Sequence, residues 1–186
     1  MTAEHPIVDI VFCASSDPTT RQDLEAALTE LAAGAFTVGA VNTAAELAES
    51  ATAAYDAGKL IPLVFVDQYL SDATGVDTLI AMDEHPGLRS ARKVLLADSP
   101  AESDLQRATA AGALDGTLAV PWSAAQLRSL VSRLVTEFFV AEAPQEVDEM
   151  TEVVDVDVLS RAFVEVEERA KTAAARLERL QRSFLD

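Results

Sequence analysis

Cysteine is almost missing from this chain: Cys13 is the only one in 186 residues. No intrachain disulfide framework is possible, and a reducing, cytoplasmic setting is the expectation. Positive charge is also scarce, with 14 Lys and Arg against 31 Asp and Glu and a net charge of −17. A nucleic-acid backbone or an anionic membrane surface would be repelled rather than neutralised, so neither is expected as a partner. No apolar run approaches the ~18 residues that a membrane-crossing helix requires. Residues 1–6 have neither the basic start nor the apolar core of a signal peptide. The two histidines, His5 and His85, are isolated and make no metal site. A glycine-rich phosphate loop is lacking, and Ser15 and Ser16 have no neighbouring histidine to activate them as nucleophiles.

What is present is apolar content of 49%, enough for a full core. Short β-branched runs without alternation read as strands buried on both faces, as in a parallel sheet. They fall at 7–14, 36–41, 60–66, 92–97 and 117–120. Helical patterns lie between and after them, at 21–33, 43–58, 76–83, 99–112 and 124–140. Thr19 and Thr20 offer caps for the first helix, Thr43 starts the second, and Asp98 with Ser99 caps the fourth. Gly34, Gly58 and Gly112 stand where helices should stop. Cys13 falls inside a strand and reads as inert packing. Five strands alternating with five helices imply a parallel sheet covered on both faces. The run Leu63-Val64-Phe65-Val66 then delivers Asp67 to the carboxyl edge of that sheet, where ligands of open α/β folds bind.

The composition changes near residue 140. Between Glu137 and Asp157 there are eight acidic residues and no basic one, which with Pro144 reads as a self-repelling linker. Beyond it Val156, Leu159, Phe163, Val166, Ala170, Ala173, Leu177, Leu180 and Phe184 are spaced alternately by three and four. That is a heptad repeat over about four heptads, which as a helix would be about 45 Å long. One apolar stripe needs a partner. A second copy of the same helix is the leading expectation, helped by the small residues Ala170 and Ala173, with folding back onto the first domain as the alternative. The pattern is still running at Asp186, so an output domain beyond it is expected. The division expected is 1–140 for the α/β domain, 141–155 for the acidic linker and 156–186 for the dimerisation helix.

Four features of the first 140 residues resemble the receiver domain of bacterial response regulators. The first strand ends in the polar cluster Ser15-Ser16-Asp17-Pro18. The third ends in Asp67, with Gly75 eight positions on. The fourth ends in the small residue Ala97. The segment Gly112-Ala113-Leu114-Asp115, followed by Leu118-Ala119-Val120-Pro121-Trp122, is similar to the family's last strand and its Lys-Pro turn. The resemblance implies a flavodoxin-like, doubly wound five-stranded sheet of order 2-1-3-4-5 and a cis peptide before Pro121. It also implies a phosphoryl-accepting aspartate at Asp67. Around it the family places an acidic pair for Mg²⁺, a Thr or Ser and a Lys that bind phosphoryl oxygens, and a switch aromatic.

Here the acidic pair aligns with Ser15 and Ser16, the Thr/Ser with Ala97, the Lys with Val120 and the aromatic with Thr117. Only Asp67 is kept, with Asp17 as a displaced candidate ligand for Mg²⁺. Serine hydroxyls replace carboxylates poorly around a hard cation, and valine cannot offset phosphoryl charge. The leading expectation is a degenerate, or pseudo-, receiver. It would be a non-enzymatic, homodimeric module needing no cofactor and contacting another signalling protein, a kinase or an output protein, through the face formed by its fourth helix, fifth strand and fifth helix. The alternative is a phosphorylatable receiver that uses Asp67, Asp17 and Mg²⁺. A small flavodoxin-like enzyme is the weakest reading.

Overall fold

The computed structural model describes residues 9–32 and 34–143. Five strands, β1 (Asp9–Ala14), β2 (Phe36–Val41), β3 (Leu63–Asp67), β4 (Arg92–Leu96) and β5 (Gly116–Leu118), form one parallel sheet of order β2-β1-β3-β4-β5. Between and after them lie α1 (Pro18–Ala32), α2 (Ala44–Asp56), α3 (Gly75–Ala81), α4 (Glu102–Ala110) and α5 (Ala124–Glu142), with a 3-10 turn at Met82–Glu84. This is the doubly wound, flavodoxin-like sheet that the family resemblance implies, and it has the helix-covered faces expected from the alternation. The heptad stripe at 156–186 and all but the first residues of the acidic segment lie outside the described residues.

Period-two alternation in buried strands feeds two cores. Val11, Cys13, Leu63, Phe65, Val94 and Leu96 join α1 and α5 on one face. Phe12, Ala14, Val64, Val66 and Leu95 join α2, α3 and α4 on the other. Phe12, Phe65 and Phe139 are among the largest fully buried side chains, and each such burial contributes roughly 1.5–3 kcal/mol. Lys93 is buried on β4, where its ammonium meets Asp83 Oδ1 at 2.5 Å and the carbonyl of Arg89 at 3.3 Å. Among the described residues no helix is long and apolar enough to cross a membrane.

Element ends shift by up to three residues from the sequence reading, and three helix boundaries show their local cause. Helix α1 begins at Pro18, three residues early, because Asp17 rather than a threonine takes the cap. Its Oδ2 accepts from the Thr20 backbone N–H at 2.8 Å and the Thr20 hydroxyl at 2.6 Å, and Pro18 suits the first helical position, which has no N–H to satisfy. Helix α4 begins only at Glu102, with Ala101 at the cap and no side-chain cap bond, so neither Asp98 nor Ser99 caps it. Helix α5 runs through Glu142 from a reciprocal capping box between Ser123 and Gln126, two residues past the helix end expected at 140. Ala143 is itself buried in the core.

Candidate functional site

Parallel pairing brings the ends of β1, β3 and β4 to one edge of the sheet. Asp67 pairs with Leu96 in register, Ala97 follows directly, and Ser15 follows Ala14, which pairs with Val66. Gly75 lets α3 start against the end of β3. A Cβ at this glycine would lie 2.3 Å from the Asp67 carbonyl oxygen, closer than any side chain allows. Its N–H donates to the Gln68 carbonyl at 2.8 Å, closing the loop tightly behind the aspartate.

The two serines at the acidic-pair positions are bonded within the protein. Ser15 is 1% exposed, and its hydroxyl donates to Asp67 Oδ2 at 2.6 Å. The Ser15 hydroxyl oxygen in turn accepts from the Asp17 N–H at 3.2 Å. Ser16 staples two loops: its hydroxyl donates to the Asn42 carbonyl at 2.7 Å and accepts from the Ser71 N–H at 2.8 Å. Arg21 donates to the Ser15 carbonyl at 2.7 Å, which holds the β1–α1 turn. Next to the Ser71 contact, the Asp72 carboxylate spans the N-terminus of α2. It accepts from Ala44 N–H at 2.9 Å and Ala45 N–H at 3.0 Å, while the Thr43 hydroxyl accepts from Glu46 N–H at 3.0 Å.

Electrostatics follow these bonds. The Thr20 hydroxyl, followed by the Thr20 backbone N–H, holds Asp17 below the usual carboxylate range. The backbone N–H groups of Ala44 and Ala45 do the same for Asp72. Burial, aided by Glu25, pushes the Cys13 thiol up to about 12, so it stays protonated and unreactive at neutral pH.

The remaining expected positions are also in place, without the chemistry of the family pattern. Ala97 is buried at the end of β4 and offers a methyl group. Val120 packs partly buried against the α1/α5 core, and the Val120–Pro121 peptide is cis. Thr117 is exposed on β5, in a shallow cleft of about 480 Å³ shared with Gln126, Leu130 and Arg133. Trp122 stands beside Thr19, Thr20 and Asp23 at the start of α1.

As a donor set for Mg²⁺ this edge fits poorly. The ion asks for near-octahedral hard oxygen ligands, usually including one or more carboxylates. Among the described residues no three His, Cys, Asp or Glu side chains gather to hold a metal. One oxygen of Asp67 is engaged by Ser15 and one of Asp17 by Thr20.

An open parallel sheet of this order, with its site at the carboxyl edge, defines the chain as a doubly wound α/β protein. More narrowly, the chain is similar to solved structures of receiver domains. One is the signal receiver domain of an HD domain-containing protein from Pseudomonas fluorescens Pf-5, with TM-score 0.59, 18% identity, and coverage of 73% of this chain and 93% of that one. A second is the receiver domain of a sensor histidine kinase from Pseudomonas aeruginosa PAO1 with a magnesium ion in its active site cleft. It has TM-score 0.57, 18% identity and coverage of 69% and 98%. A third is the chemotaxis protein CheY4 of Vibrio cholerae, with TM-score 0.59, 19% identity and coverage of 68% and 98%. No protein-family model matches the chain, and no curated protein sequence does so either. At these identities the likeness establishes the receiver fold.

Sequence reasoning missed the hydroxyl network itself. Ser15 and Asp67 are separated by 52 positions and Ser16 and Ser71 by 55, so only the sheet order brings them together. Asp72 left no signal either, because a cap is sought immediately before a helix and this one reaches α2 from 28 residues away.

Proposed function

We propose that this chain is a pseudo-receiver: a non-enzymatic signalling module that acts through protein contacts without accepting a phosphoryl group. The observation that carries the proposal is the Ser15–Asp67 hydrogen bond of 2.6 Å. A buried hydroxyl occupies the aspartate oxygen, at a position where the receiver pattern has a carboxylate for a cation. With Val120 in place of a lysine and Ala97 in place of a hydroxyl, the edge lacks the two groups with which the family pattern holds an anionic phosphoryl group. The second serine joins two loops that the family pattern would leave around a metal, so the edge is built as a fixed joint.

In this reading the folded unit through Ala143 contacts another signalling protein, a kinase or an output protein, through the exposed face of α4, β5 and α5. The acidic segment spaces it from the 156–186 stripe, which pairs two copies. The test is incubation with Mg²⁺ and acetyl phosphate followed by intact mass measurement. The wild-type chain is expected to gain nothing, whereas Ser15→Asp/Ser16→Asp/Ala97→Thr/Val120→Lys is expected to take up a phosphoryl group at Asp67. Uptake by the wild type that disappears in Asp67→Asn would instead support the phosphorylatable reading.

A further inference from the structure

Another opening among the described residues has a mostly apolar lining. It is a groove of about 490 Å³ between α2 and α3, closed at one end by the loop before β4. Leu47, Met82 and Leu88 form its buried floor, and Ala48 and Ala81 are exposed on its walls. Its polar lining includes two carboxylates, Asp77 and Glu84. Asp77 pairs with Arg107 at 3.0 Å, whereas Glu84 is exposed and makes no ion pair among the described residues. An apolar floor with an acidic rim suits an amphipathic helix that carries cations beside its apolar stripe.

The chain contains one such segment. Residues 9–143 hold nineteen acidic and eight basic side chains, but residues 169–182 hold five basic ones (Arg169, Lys171, Arg176, Arg179 and Arg182) and only Glu178 acidic. These cations flank Ala170, Ala173, Leu177 and Leu180 of the apolar stripe. Reach is no obstacle. The 26 residues from Ala143 to Arg169 can span roughly 85 Å when extended, and a domain of this size is about 35–40 Å across.

We propose that the α2–α3 groove receives the basic apolar stripe around Leu177 and Leu180 of the same chain. The stripe that pairs two copies would then also be the stripe that the groove sequesters, so groove occupancy and dimerisation compete. The proposal rests on reading residues 156–186 as an amphipathic helix. Its consequence is that a closed monomer opposes the dimer, as any competing state lowers apparent affinity by the fraction that remains competent.

Two readouts on the full chain keep the parts separate. The first is methyl NMR of Leu47 and Met82 at concentrations where the chain sediments as a monomer. Leu177→Asp/Leu180→Asp is expected to move both signals. Unmoved signals overturn the proposal, and so does a difference that is lost on dilution, which would assign the occupant to a second copy. The second is the dimer dissociation constant by sedimentation. Ala48→Arg/Ala81→Arg places like charge on the exposed groove walls, and about a tenfold tighter dimer is expected; an unchanged or weaker dimer overturns the competition. A chain that stays monomeric at every concentration defeats the dimer reading and the competition with it, while the NMR result alone decides whether the groove is filled.

Discussion

At the scale of single residues, the account rests on Ser15 and Gly75. Ser15→Ala removes the donor that Asp67 Oδ2 receives at 2.6 Å and leaves that oxygen unpaired beside a buried methyl. The expected cost is about 1–3 kcal/mol of folding stability, read from the urea midpoint, and the same substitution in an Asp67→Ala background should cost clearly less. Equal costs in the two backgrounds would show that the pair is not coupled. Gly75→Ala sets a Cβ against the Asp67 carbonyl at 2.3 Å. Because backbone rather than a flexible side chain must yield, a loss of about 2–4 kcal/mol is expected. Asp67 and Gly75 were legible in the sequence, since a strand-end carboxylate and a helix-starting glycine are local signals. The role of Ser15 was not, because what its hydroxyl meets is set by which strand lies next to β1.

At the scale of elements, the N-terminus of α2 shows how distant residues complete a local structure. Thr43 was read as the start of this helix and proves to be its cap, accepting from Glu46 N–H. Asp72 adds a carboxylate on the preceding N–H groups and ties the β3–α3 loop to α2. Asp72→Ala is expected to lose about 1 kcal/mol, the usual worth of a cap. The folded chain holds the Asp72 carboxyl below its ordinary value. The stabilisation is therefore complete above the ordinary carboxylate range and is lost as pH falls through the lowered folded value. Urea midpoints measured from pH 7 down to pH 3 should show the gap between wild type and Asp72→Asn closing at the acidic end; a gap constant with pH would contradict the capping role. Helix α1 was misplaced in the sequence reading for a related reason. Asp17, Thr19 and Thr20 are all plausible caps, and only geometry shows Thr20 donating to Asp17 rather than capping for itself.

At the scale of the whole molecule, strand and helix alternation was enough to reach the α/β class, while the sheet order came only with the family resemblance, since periodicity carries no information about which strands are neighbours. The structure gives the same order and puts Asp67, Ser15 and Ala97 at one edge. Helix α5 continues through Glu142, and Ala143 is buried in the core. A truncation meant to isolate the folded unit should follow Ala143. Sedimentation of the full chain as a dimer and of the shortened chain as a monomer is expected; a shortened chain that remains dimeric would place the interface on the α/β domain instead.

The central claim is that the carboxyl edge no longer works as a phosphoryl site, and a titration of the full chain with Mg²⁺ and beryllofluoride tests it most directly. Backbone NMR shifts around Asp67 and the fluorescence of Trp122, the only tryptophan, report binding. The account predicts no saturable change in the folded wild-type protein. Saturable shifts that vanish in Asp67→Asn would contradict it and restore Asp67 as a phosphoacceptor.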